Sequence, residues 1–237
     1  MGLAISVALP AQQPPSNVEF EVVSVKAADP ADPAHMTQAT AGGFRGRNLR
    51  LFELVMSAWR LNRDQVIGGP NWLETAGWDI DARFPAGASP AQAPQMMQAM
   101  LADRFRLVTH RETRTLPIYV LTVAKGGIKL HQGDGRGGMS AGPRLIRYGS
   151  GTMGELAGQL SGFLGRNVID RTGLTGQYAI SLSFAPVDPG APAGEVAQDF
   201  APSIFQALQD QAGLKLESTK GPVEVLVIDH AEKPAAN

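Results

Sequence analysis

The sequence predicts an α+β fold built from two similar halves, and three observations predict it. "ETRTLPIYVLTV" (residues 112–123) aligns without a gap to "ESTKGPVEVLVI" (residues 217–228). Glu112 meets Glu217, Pro117 meets Pro222, Leu121 meets Leu226 and Val123 meets Ile228. Each copy follows an amphipathic stretch opened by proline, "PQMMQAMLADRFRL" in one and "PSIFQALQDQAGLKL" in the other, as expected at a helix start. Upstream, "NLRLFELVMSAWRL" parallels "GTMGELAGQLSGFL", and "VIGGPNWLETAGWDIDARFP" parallels "VIDRTGLTGQYAISLSFAP". Short amphipathic helices must bury their stripes on something, and the alternating strands supply sheets. An internal duplication is the simplest account of two such units in one chain.

The elements follow in order. Residues 18–25 alternate as a strand, and residues 49–61 carry a helical stripe with Asn48 as its cap. Residues 78–84 form a strand and residues 94–104 a helix. Residues 106–112 and 117–124 read as a hairpin. The second half reads as a helix at 152–164, a strand at 177–184, a helix at 204–211 and a hairpin from 214–218 and 223–229. Residues 27–43, 85–93, 126–143 and 187–198 are small, polar or Gly-rich and read as loops. The expected organisation is a leader remnant or tail at 1–17, a first half at 18–130, a Gly-rich linker at 131–143 and a second half at 144–237.

Composition narrows the class. The 237 residues hold 21 Lys and Arg against 22 Asp and Glu, and no cysteine. A near-neutral balance gives no electrostatic reason to expect nucleic acid. The missing cysteines exclude disulfides, thiolate metal sites and cysteine nucleophiles. No run approaches the ~20 apolar residues of a membrane span. The run from Leu3 to Leu9, followed by Pro10 and Ala11, matches the apolar core and cleavage end of an export signal. A secreted or periplasmic location is the expectation.

"FEVVSVK", "IGGPNWL", "RFRLVTHRETRTLPIYVLTVAKGGIKL", "VIDRTGLTGQY" and "AGLKLESTKGPVEVLVIDHAEKP" together resemble a large family of soil-associated, mostly acidobacterial proteins of unknown function. The resemblance covers nearly the whole chain after Val18. It implies export, and it supplies no reaction. The helix-and-hairpin units are also similar in shape to the small N-terminal domains of secretins and TonB-dependent receptors.

Several residues are candidates for chemistry. Gly138-Met139-Ser140-Ala141-Gly142 spells the G-x-S-x-G of serine hydrolases. That motif needs a buried strand before the serine and a helix after it; neither is predicted here, so Ser140 reads as coincidence. His110 and Glu112 share a strand face at i and i+2. With His230 or His131 nearby they could bind a divalent metal or share a proton; otherwise they form cross-strand ion pairs with Arg111 and Arg114, which is the favoured reading. Asp79 and Asp81 also share a face. Paired carboxylates suit acid and base catalysis, as in glycoside hydrolysis, with Trp72 and Trp78 stacking on sugar rings. Period alone instead sends Trp78, Ile80 and Ala82 inward and the aspartates to solvent. Trp59, at helical spacing from Phe52 and Val55, reads as core. Asp170, with Thr172 and Thr175, and Tyr119 complete the candidate binding groups; Asp170 also suits a tight turn.

The functional expectation is an exported binding or accessory module, whose partner is a small molecule, a glycan or an envelope protein. The alternative is an extracellular hydrolase, metal- or carboxylate-assisted, acting on an ester or glycoside.

Overall fold

The computed structural model describes residues 19–40, 42–136, 138–186 and 201–234. The predicted leader segment and the loop at 187–198 lie outside them. The chain divides into two compact units. Among the described residues, unit 1 takes those up to 61, those at 65–112 and those from 225 on, and unit 2 takes 62–64 and those between 113 and 224. The architecture is α+β.

In unit 1, β1 (Val22–Ala27), β2 (Met36–Thr40), β3 (Gly43–Arg50) and β5 (Gly77–Arg83) form an antiparallel sheet in the order β1-β5-β3-β2. The strand period is visible in β5, where Trp78, Ile80 and Ala82 are buried and Asp81 and Arg83 are exposed, as the alternation predicts. Of the helices α1 (Leu51–Trp59), α2 (Trp72–Thr75) and α3 (Ala93–Arg104), the first and third pack together. Leu51, Leu54, Val55, Met97, Met100 and Leu101 from these helices join Val25, Trp78 and Ile80 in one hydrophobic core. Trp59 is only partly buried against that core.

In unit 2, β7 (His131–Gln132), β8 (Met139–Gly142), β9 (Leu145–Gly151) and β11 (Tyr178–Ser183) form a sheet in the order β7-β11-β9-β8. Element for element this is the strand order of the first sheet. Helix α4 (Met153–Leu164) opens with Thr152, whose hydroxyl accepts from the Glu155 N–H while the Glu155 carboxylate accepts from the Thr152 N–H. That reciprocal pair satisfies two backbone donors that a helix start leaves free. Helix α5 (Ile204–Ala207) continues as a π-helical turn over Leu208–Ala212. Leu156, Leu160, Ile180, Leu182, Phe184 and Leu208 form a separate second core.

A third sheet has the order β10-β6-β12-β4, with β4 (Val66–Gly68), β6 (Val108–Val123), β10 (Val168–Asp170) and β12 (Leu214–His230). Its outer strands pair in parallel, Val66 beside Leu226 in unit 1 and Val168 beside Tyr119 in unit 2. Leu121 lies in the second core and Leu226 in the first, and both sit on strands.

Four local expectations are corrected. The two expected hairpins are two unbroken strands, β6 and β12, that neighbour one another. Gly221, which reads as a turn residue, instead admits a close neighbour: a Cβ there would lie 2.6 Å from the Ile118 side chain. The expected loops at 27–43 and 126–143 contain the strands β2, β7 and β8. These are sheet-edge strands with little buried side, so they show no apolar alternation. Asn48 does not cap α1; the cap is Arg50, whose N–H donates to Glu53. The helix expected at 204–211 is α-helical only over its first four residues.

Candidate functional site

The paired carboxylates of β5 face paired arginines of β3. In an antiparallel ladder, residues two apart on each strand come opposite one another on one face. Arg45 therefore meets Asp81 at 2.8 Å and Arg47 meets Asp79 at 2.6 Å. The Asn48 N–H also donates to Asp79, at 3.0 Å. Partial burial pushes the Asp79 carboxyl up, but the Asn48 N–H and the Arg47 guanidinium outweigh it and hold the carboxyl below its usual value. A carboxylate held ionised in this way makes a poor general acid. Both aspartates are engaged structurally, in ion pairs on an open sheet face.

His110 on β6 meets Asp229 on β12. Its Nδ1 lies 2.9 Å from each carboxylate oxygen, and its Nε2 lies 4.0 Å from Glu112. The histidine thus has carboxylates on both ring nitrogens. An Asp–His pair is the orienting half of a nucleophilic relay, but no hydroxyl is hydrogen-bonded to His110 among the described residues. The strand period explains the absence of the expected third metal ligand. Asp229 faces His110, so His230, one residue on, turns the other way and bonds Glu232 at 2.9 Å. Among the described residues, no group of three or more His, Asp or Glu side chains is arranged to hold a metal ion.

The profile of a protein family of unknown function, DUF3738, matches residues 52–231. The chain belongs to the DUF3738 family. The matched span begins inside α1 and runs one residue past β12, so it holds His110, Glu112, Asp79, Asp81, Asp229 and His230. Arg45 and Arg47 fall just before it. No curated protein and no solved structure matches the chain.

The remaining candidates of this DUF3738 chain divide among its cores, a turn and exposed edge strands. Trp78 is buried and meets Phe105 edge-on at 5.2 Å and Trp72 at 6.2 Å. Trp72 is partly buried, and the Lys233 ammonium lies 5.9 Å from its ring. Tyr119 is buried in the second core, edge-on to Phe205 with Arg166 over its ring. Asp170 accepts from the N–H and the hydroxyl of Thr172, in a turn that Gly173 completes at φ +69°. Trp72 and Trp78 belong to unit 1, and Tyr119 and Asp170 to unit 2. Ser140 lies in the middle of the exposed edge strand β8, with no strand-to-helix turn around it. His131 is exposed on β7.

The sequence reading missed two features. The Arg45/Arg47 partners of the aspartates were signalled by R-x-R on one strand against D-x-D on another. Asp64 carries no such signal. Burial pushes its carboxyl above the usual range, against the pull of the Asn167 N–H and of Arg166. Its Oδ1 is shielded from solvent and has no hydrogen-bond partner among the described residues.

Proposed function

We propose that this chain is an exported binding or accessory module with no catalytic centre of its own. One observation carries the reading: the carboxylates best placed by sequence for acid and base work, Asp79 and Asp81, are each held by an arginine across the sheet. The His110–Asp229 pair supports it too, because the pair reaches no nucleophile among the described residues. Export is supported by the apolar run from Leu3 to Leu9 and the Pro10-Ala11 that follows it. The partner is a small molecule, a glycan or an envelope protein. The two units are read as copies of one ancestral unit, a reading supported by the matching strand orders of their sheets.

A screen with chromogenic esters, phosphates and glycosides tests the proposal, with His110→Ala and Glu112→Gln run beside the wild type. The expected result is no turnover above buffer. Turnover that falls in either variant makes the chain a hydrolase and ends the module reading.

A further inference from the structure

Two arginines in unit 1 occupy a backbone conformation that normally belongs to glycine. Arg60 follows α1 at φ +54° and Arg106 follows α3 at φ +49°. The left-handed residue that closes a helix is usually Gly, because a Cβ is strained there. Unit 2 keeps that rule. Gly165 follows α4 at φ +59°, and Gly213 stands between the last helical turn and β12 at φ +69°. Arg106 holds the place between α3 and β6 that Gly213 holds between helix and strand in unit 2. Strain retained at one residue points to a use for its side chain.

The surroundings of Arg106 supply the use. It lines a groove formed by β1, the end of α3 and the segment after β12, together with Asp103, Arg104, Glu232 and Lys233. Both carboxylates of the groove have other partners, Asp103 with Arg104 at 3.2 Å and Glu232 with His230 at 2.9 Å. Lys233 rests against the Trp72 ring at 5.9 Å, within cation–π range. The Arg106 guanidinium has no hydrogen-bond or ion-pair partner among the described residues. Two cations, Arg106 and Lys233, thus line a groove whose two carboxylates are each paired with another basic side chain. A planar guanidinium fork suits a carboxylate or phosphate group, and an adjacent ammonium adds charge.

We propose that this groove is an oxyanion-binding site, with Arg106 as the fork and Lys233 as the second cation, for a ligand carrying a carboxylate or a phosphate. The inference rests on the binding-module reading and names its ligand class. The two fail separately: turnover in the substrate screen ends the module reading, whereas silence of the groove toward anions ends only the site.

The test is a titration of the full chain with inorganic phosphate, and in parallel with acetate, at low ionic strength, followed by amide and arginine Nε–H NMR shifts. Saturable shifts at residues 103–106 and at Glu232 and Lys233 are expected by about 50 mM of either anion, the affinity range of a single small contact. The stronger responder separates a phosphate ligand from a carboxylate one. Arg106→Gly should weaken binding about tenfold, and Arg106→Lys and Lys233→Gln by smaller factors, as loss of a bidentate or a point contact predicts. Arg106→Gly should also keep or raise the melting temperature, so its loss of binding cannot come from unfolding. Arg60→Gly relieves the same strain outside the groove and should bind as the wild type does. Absence of saturable shifts, an Arg106→Gly protein that binds normally, or equal weakening by Arg60→Gly would overturn the proposal.

Discussion

Gly213→Ala isolates the backbone constraint that Arg106 violates. Gly213 sits at φ +69°, and an added Cβ would stand 2.1 Å from the Gly127 carbonyl oxygen and 2.9 Å from the Lys129 nitrogen. Both are backbone atoms, so no side-chain rotation relieves the overlap. The left-handed conformation alone costs alanine about 1 kcal/mol. Moving the 124–129 segment away strains two hydrogen bonds, Lys129 N–H to Ala212 and Ala124 N–H to Gly213, each contributing about 1 kcal/mol. The sum is about 3 kcal/mol, at the upper end of single-substitution effects. Arg106→Gly should have the opposite sign. It relieves about 1 kcal/mol of strain, part of which is offset by the greater freedom of glycine in the unfolded chain. Urea unfolding followed by far-ultraviolet circular dichroism measures both. A Gly213→Ala protein within about 0.5 kcal/mol of wild type, the range of a neutral surface change, would refute the reasoning, as would an Arg106→Gly protein less stable than its parent.

Two further predictions concern the cores and a helix cap. Leu121 is fully buried and Leu226 is 2 % exposed, in separate cores. Leu121→Ala and Leu226→Ala should each cost about 3 kcal/mol in denaturant unfolding, and a loss under 1 kcal/mol at either site would show that the two positions are not equivalent. The Thr152 N–H and hydroxyl hold the Glu155 carboxyl below its usual value. Carboxyl-detected NMR should find Glu155 titrating below 4.5, and Thr152→Ala should move it upward. Because the folded value is depressed, this contribution is complete above the unfolded value and fades as pH falls through the folded one. An unmoved Glu155 in Thr152→Ala would contradict the capping geometry.

Much of the fold is legible in the sequence because burial imposes a period. The alternation of Trp78, Ile80 and Ala82 marks β5, and the apolar stripes of α1 and α4 mark helices. Edge strands lack that imprint: Met36–Thr40 is exposed along its whole length, so nothing in its composition separates it from a loop. The long strands β6 and β12 escape the sequence for a different reason. Pro117 and Gly221 look like punctuation, yet both lie inside strands whose neighbours are far away in sequence, and pairing at that distance leaves no local trace. The sites divide in the same way. Turn chemistry at Asp170 and Gly173 is local and was readable. The His110–Asp229 pair joins residues 119 positions apart, and no pattern near His110 points to Asp229. Arg106 was invisible for the converse reason: a left-handed residue is inferred from glycine, and here glycine is missing. The capping box at Thr152 and Glu155 is local, and its T-x-x-E spacing is legible in the sequence.

That Asp79 is committed to an ion pair, and not to proton transfer, is open to direct measurement. Carbon-13 NMR of its carboxyl through an acid titration should give a value below 3.8 that rises when Arg47 is replaced by Met. An Asp79 that titrates toward neutral pH, as a general acid must, would contradict the account.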